Sequence, residues 1–410
     1  MHKECRPQSQ LPPSAVFVRQ TSGSVTEMSQ VTPMDVDMDS RVLDYFVMFI
    51  RGNQFTPHFE SIDLELLPIM QRSPHLRWAA VAIGALDASR HGSVRWHSER
   101  QSLYCIALSA YSKSINALQE VLTAGDAVRK DDVLWGIFLL GLFELISQPS
   151  GDGWAKHMLH GAAQLLQLTG PNQPVNPLRQ RFWELFRGLE ATRAILYGER
   201  TMLSQDSWMA FQQGLSTGRP GSWGSMENVL TLVIHTAAFS KRFFDLLGGI
   251  SEPYRLPDDL VQDLGIKGLN IQTSIYEWHA EALRRLPASG EDPQFQLALA
   301  HYHALLLFLS SNYGYYPHWD TIPAPILPQT EIDRHVGAIL QLAEQILDTS
   351  RIPGVMLFFP LRVAGTQALC QSQRSKILAH LNRVHQKGFL VSNQIYADLV
   401  ELWEYQGLKY

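Results

Sequence analysis

A chain of 410 residues with 45% apolar and 18% charged side chains has the composition of a folded protein with a large core. Its net charge of −5 leaves no overall basic footprint for nucleic acid. Its three cysteines, Cys5, Cys105 and Cys370, are far apart and never form a C-x-x-C pair, which argues against a disulfide framework and a cysteine-rich zinc centre. Cys105 and Cys370 stand in apolar helical contexts and are expected as small core residues in a reducing compartment. The start, MHKECRPQSQLPPS, lacks the apolar stretch of a secretory signal. The longest strongly apolar run, residues 133–146, carries Glu144 and falls short of the ~20 residues that a membrane span needs, so a soluble, intracellular protein is expected.

Residues 1–39 are rich in Ser, Pro, Gln and Thr and are expected as a disordered tail, because such a composition buries too little surface to offset its ordering entropy. Order is expected over 40–410. Ser40 is the candidate N-cap of a first helix whose Val42, Tyr45, Phe46 and Phe49 share one face. Ser73-Pro74 opens a second over 75–89, with Leu76, Ala79, Ala80, Ile83 and Leu86 as its stripe and Ala80, Gly84 and Ala88 permitting close helix contact. A long helix follows over 96–123. Asp131 or Asp132 caps 133–147, residues 149–153 break the chain, and 154–168 is the partner helix, stopped by Gly170-Pro171. Further helices are expected over 178–197, 227–247, 258–286, 293–310, 331–349, 355–372, 375–388 and 392–403. Residues 214–224 read as a Gly/Ser-rich loop, and 313–329 as an ordered loop. No alternating apolar/polar run bounded by turns occurs, so no sheet is expected. The fold class is all-α: an extended array of packed antiparallel helices behind the tail.

Four segments in this order resemble the fungal-specific transcription factor regulatory domain, the helical body of binuclear-zinc-cluster regulators. They are SPHLRWAAVAIGALD (73–87), ALSAYSKSINALQEVL (107–122), in which Lys113 fits the pattern and Ser114 replaces the commoner Ala, DDVLWGIFLLGLFELISQPSGDGWAKHMLHGAAQLLQLTG (131–170), with Phe143-Glu144 and Gly161, and LFFPLRVAG (357–365). The resemblance spans roughly 40–403. It implies a nuclear regulator or co-regulator of a fungal metabolic or secondary-metabolite gene set, without catalytic residues or cofactor, acting through protein partners such as a DNA-binding factor, or through a small effector. Relatives usually carry six zinc-ligating cysteines ahead of this body. Here the stretch before residue 40 holds only Cys5, so specific DNA binding is not expected of this chain, and no membrane association is expected. The competing readings are a non-catalytic accessory protein of a biosynthetic pathway that binds a small apolar molecule, and an enzyme of unrecognised type.

No G-x-S-x-G, P-loop or H-E-x-x-H motif occurs, and Gly151-Asp-Gly153 lacks the third glycine of a dinucleotide fingerprint. His157 and His160 are spaced i, i+3 but have no acidic partner at ligand spacing, so helix-end hydrogen bonding is preferred to a metal site. His301 and His303 point to different helical faces. His91 and His97, with Arg90, Arg95 and Arg100, read as a solvated loop. Glu144 reads as a structural acid with Arg77 or Arg193 as partner. Tyr313, Tyr315, Tyr316 and Trp319 are the candidate ligand-binding aromatics, with apolar walls and polar tips. Arg179, Arg181 and Arg187 form a modest basic face and the candidate partner surface.

Overall fold

The computed structural model describes residues 33–57, 59–91, 97–125, 129–150, 158–171, 176–217, 225–248, 256–285 and 292–410. Among them are fifteen α-helices and no strand. The helices are α1 (Pro33–Gly52), α2 (Ile62–Met70), α3 (Pro74–His91), α4 (His97–Thr123), α5 (Asp131–Ser147), α6 (His160–Thr169), α7 (Pro177–Tyr197), α8 (Asp206–Thr217), α9 (Ser225–Gly248), α10 (Asp258–Arg284), α11 (Pro293–Gly314), α12 (Gln329–Thr349), α13 (Phe358–Gln367), α14 (Gln371–Gln386) and α15 (Ser392–Tyr405). None of the described helices is long and apolar enough to cross a membrane.

Two helices organise the array. In α5 every residue from Val133 to Ile146 is buried, and α11 is buried on nearly all sides. A helix that is apolar all round has to be enclosed by others. Accordingly, α3, α4, α6 and α7 surround α5, and α9, α10, α12 and α13 surround α11. Helix α7 contacts α5, α9 and α13, so it ties the two groups together. One hydrophobic core runs from Val42 in α1 to Trp403 in α15.

Local sequence explains most boundaries. Asn176 caps α7 by accepting the Arg179 N–H at 2.8 Å, Pro177 follows at the first helical position, and Gly198 ends the helix in the left-handed region at φ 61°. Asp292-Pro293 opens α11 in the same way. The apolar stripe of α3 is buried as its spacing requires, and Gly84 is indispensable to it: a Cβ there would stand 2.1 Å from the Val42 carbonyl oxygen of α1.

Several expectations are corrected. The first helix begins at Pro33, so Ser40 lies inside it rather than capping it; proline at the first position with Asp35 and Asp37 behind it suits a helix N-terminus. Helices α2 and α8 occupy stretches where none was expected. Helix α2 carries Pro68 inside it, and α8 runs through Gly214 to Thr217. The helix expected over 355–372 is a short 3-10 turn followed by α13, and α14 starts at Gln371. Helix α11 extends four residues beyond Ser310, which makes Tyr313 helical. Cys105 and Cys370 are exposed rather than core residues. Cys105 lies on the outer face of α4. Cys370 caps α14, where hydrogen bonds from Ser372 and the Gln373 backbone hold its thiol below the ordinary value. Residues 1–32, the turn at 151–157 with Gly151, Gly153, Trp154 and His157, and Arg95 lie outside the described residues.

Candidate functional site

The first three resembling segments are joined by polar contacts between packed helices. Ser73, at the head of α3, donates to Asp132 Oδ2 at 2.5 Å, and His75 Nε2 lies 3.2 Å from the Asp132 carbonyl oxygen. Burial lowers the His75 pKa, and Asp132 acts against that shift. Ser114 of α4 donates to the His75 carbonyl at 2.6 Å. Tyr111 donates to Glu144 Oε1 at 2.5 Å while its ring stacks on Phe143 at 4.7 Å. Burial, and then the Glu144 hydrogen bond, raise the Tyr111 pKa, so the phenol keeps its proton.

Glu144 is therefore buried, at 2% exposure, as the sequence suggests, with a tyrosine hydroxyl at its carboxylate. Of the two arginines nominated for it, Arg193 has partners elsewhere and Arg77 is on the exposed side of α3. Arg77 is exposed, its guanidinium carbon 6.0 Å from the Trp78 ring. Arg193 is buried against Glu190, with two 2.8 Å bonds from Nε and Nη2 to the two carboxylate oxygens, and it also contacts Glu199. Burial pulls the Arg193 pKa down, but Glu190 and Glu199 outweigh it and hold the guanidinium above its ordinary value.

A cavity of about 260 Å³ lies where α5, α7, α13 and α15 meet. Leu145, Leu189, Leu196, Phe358, Val391 and Ile395 give it apolar walls. Arg362 and Asp398, 3.5 Å apart, supply a charged rim with Gln394, whose side-chain amide donates to Asp398 at 2.7 Å. Apolar walls with a few placed polar groups are the usual make-up of a small-molecule site, and this volume is close to the low end of such sites, about 300 Å³. The wall residue Leu145 and the pair Phe358 and Arg362 come from the third and fourth resembling segments. Sequence reading did not single out any residue of this cavity, since its walls come from helices far apart in the chain.

The nominated aromatics divide. Tyr313 and Trp319 are packed into the body: Tyr313 Oη donates to the Leu264 carbonyl at 2.6 Å and Trp319 Nε1 to that of Val261 at 3.2 Å. Both rings pack on Phe243, and Gly268 leaves room for the Tyr313 hydroxyl, which a Cβ would meet at 2.2 Å. Tyr316 is half-buried and Tyr315 is 82% exposed. The basic face expected on α7 is reduced to Arg181, because Arg179 and Arg187 turn inward to partners. Arg179 pairs with Asp131 at 2.7 Å, Arg181 bridges to Glu65 at 2.8 Å, and Arg187 is 4% exposed. Arg90 also turns inward, donating to the carbonyls of Gly388 and Ile146.

The histidines are resolved by tertiary contact. His160 lies 3.7 Å from Glu199. His301 and His303 do face different ways: His301 Nδ1 bonds to the Leu297 carbonyl at 2.9 Å, whereas His303 Nδ1 meets His335 Nδ1 at 2.7 Å. Burial lowers the His301 pKa to about 4, that of His303 to about 3 and that of His335 to about 4. A neutral pair can share this bond only if one ring donates and the other accepts. His335, 32 residues from His303, was not foreseen. Among the described residues no group of three His, Cys, Asp or Glu side chains is placed to hold a metal ion.

Comparison with known proteins gives the same family as the four segments. The model of the fungal specific transcription factor domain matches residues 42–408, and the chain belongs to that family. Among curated proteins, the uncharacterized protein AN5342 of Emericella nidulans is similar over 135 residues at 24% identity, a stretch that makes up 33% of this chain and 28% of that relative's length. No solved structure matches the chain.

Proposed function

We propose that this chain is the regulatory body of a fungal transcription regulator or co-regulator, active in the nucleus on a metabolic or secondary-metabolite gene set. Its activity is set by a small apolar molecule that enters the cavity between α5, α7, α13 and α15. Residues 40–410 make up the regulatory domain, and the chain has no catalytic role. The observation that carries the reading is the cavity's position. Its α5 and α13 walls come from segments that bear the family pattern, and an occupant would touch α5 and α7 on one side and α13 and α15 on the other. A ligand that binds one arrangement of these helices better than another shifts the population toward it. With a net charge of −5 and three cysteines, the chain is expected to reach DNA through a DNA-binding protein partner rather than by reading it directly.

The test joins the whole chain to a heterologous DNA-binding domain upstream of a reporter in a fungal host. Ile395→Trp, which fills the cavity, is expected to alter reporter output while the protein still accumulates. Native mass spectrometry of the wild-type protein is expected to reveal a retained apolar molecule that the variant lacks. A fusion with no effect on the reporter, together with cytosolic residence of the tagged chain, would overturn the regulatory reading. The same cavity would then support the accessory-protein reading, in which the bound molecule is the protein's business and transcription is not.

A further inference from the structure

Arg187 is buried in the middle of α7, and no carboxylate among the described residues forms an ion pair with it. Its Nη1 donates to the Glu227 carbonyl at 3.0 Å and its Nη2 to the Thr231 hydroxyl at 2.6 Å. These bonds engage two of the five N–H donors of a guanidinium. Burial draws its pKa down to about 10, with the charge of Glu227 acting the other way, so the group remains cationic at neutral pH. Other buried arginines have a carboxylate partner or more acceptors. Arg179 has Asp131, Arg193 has Glu190, and Arg374 donates to the carbonyls of Lys409, Ala368 and Leu369.

Arg187 also opens onto a cleft. Trp183, Trp208, Met209, Gln212 and His235 line a space of about 40 Å³ beside it. That exceeds the room for one water, roughly 10–15 Å³, and is far below the volume of a drug-sized site. It suits a single small acidic group. The walls are held firmly: Trp183 and Trp208 stack at 5.2 Å, and Trp183 Nε1 donates to Gln212 Oε1 at 2.6 Å. His235 is kept below its ordinary pKa by burial and then by the Arg187 charge. It is therefore neutral at pH 7, and the positive field of Arg187 reaches the cleft.

We propose that this cleft binds a small carboxylate, with the Arg187 guanidinium as its counter-charge and the Trp183–Trp208 pair as its wall. The site is separate from the apolar cavity and does not depend on the regulatory reading. A buried cation with spare donors is stabilised by an anion that supplies both charge and acceptors, and a carboxylate matches the planar fork of a guanidinium.

Acetate and its uncharged counterpart acetamide, titrated at constant ionic strength and read by calorimetry and thermal unfolding, test the site. Wild-type protein is expected to bind acetate and melt at higher temperature with it, and to ignore acetamide. Arg187→Met is expected to weaken acetate binding by roughly tenfold to a hundredfold, the usual effect of losing charge-assisted hydrogen bonds. Met209→Trp fills the cleft, leaves the guanidinium in place, and is expected to abolish the response. It keeps the proposal testable if Arg187→Met folds poorly. An equal response to acetate in wild type and Met209→Trp, or no difference between acetate and acetamide in wild type, would overturn the proposal and leave Arg187 as a structural tie between α7 and α9.

Discussion

Helix α7 buries Arg179, Arg187 and Arg193, and it treats the last two, six residues and about 9 Å apart along its axis, in opposite ways. Arg193 is held by Glu190 on its own helix and by Glu199 just past the helix end, and its cation is favoured. Arg187 has a carbonyl and a hydroxyl, and its cation is disfavoured. A buried charge that is matched in place is part of the fold, whereas one left partly unmatched beside an opening is a place where something else can bind. The buried histidines of α11 and α12 are a third solution, since they escape the problem by staying neutral.

That third solution gives the largest expected effect. The folded-state pKa values of His301, His303 and His335 lie below the ordinary 6.5, so the unfolded chain takes up protons first as pH falls. Their contribution to stability is complete above about pH 6.5 and is lost progressively as pH falls toward their folded values near 4 and 3. At pH 5 the loss is about 2 kcal/mol for each histidine. Urea unfolding at pH 7.5 and pH 5 measures it. Equal stability at the two pH values would mean that these rings are already charged in the fold, and the distinction drawn between neutral and matched burial would fail.

Next in size is the arginine pair itself. Arg193→Met leaves Glu190, 2% exposed, as an uncompensated buried charge, and is expected to cost about 3–5 kcal/mol. Arg187→Met removes a charge that has no carboxylate partner and is expected to change stability by less than about 1 kcal/mol, or to raise it. Chemical denaturation of the two variants under one buffer condition compares them directly. Similar losses in both would show that the Glu227 carbonyl and Thr231 satisfy Arg187 as fully as Glu190 satisfies Arg193.

How far these features were legible depends on whether they are local. Helix stripes, the burial of Glu144 and the opposite faces of His301 and His303 follow from periodicity within one helix. The matching of Arg193 with Glu190 is also local, at i, i+3, yet sequence reading gave Arg193 to Glu144, because an acid in a strongly apolar helix attracts attention that an acid among mixed residues does not. The glycine signal at Gly214 hid the end of α8, and no signal was read over the stretch that forms α2. The His303–His335 bond, the inward turn of Arg179 and Arg187, and the cavity walled from α5, α7, α13 and α15 are tertiary facts. Which way a long side chain turns, and what it meets, is set by elements distant in the chain, 32 residues for His303 and His335 and 120 for Arg181 and Ser61.

Glu144→Gln is expected to have a smaller effect than Arg193→Met. Glutamine keeps an acceptor for the Tyr111 hydroxyl and loses the charge assistance of that 2.5 Å bond, so a cost of about 1–2 kcal/mol is expected. Tyr111→Phe is expected to cost at least as much, since it leaves the carboxylate without that donor. A loss of 3–5 kcal/mol in Glu144→Gln would instead point to a buried cation depending on this acid.

The smallest effect is expected at Arg181, also on α7. Arg181 reaches Glu65 at 2.8 Å and Ser61 at 3.1 Å, but its side chain is 24% exposed and that of Glu65 is 33% exposed. Solvent screens such a pair, so Arg181→Gln should cost less than about 1 kcal/mol. Its value lies in what it separates. Arg181 is the nominated α7 arginine with the most reach to solvent, and a partner surface on this helix must involve it rather than Arg187. In pull-downs from nuclear extract, Arg181→Glu is expected to weaken recovery of a DNA-binding partner while leaving the acetate response of the Arg187 cleft intact. Unchanged recovery with Arg181→Glu would move the partner surface off α7 and leave that helix with its matched arginines and one ligand site.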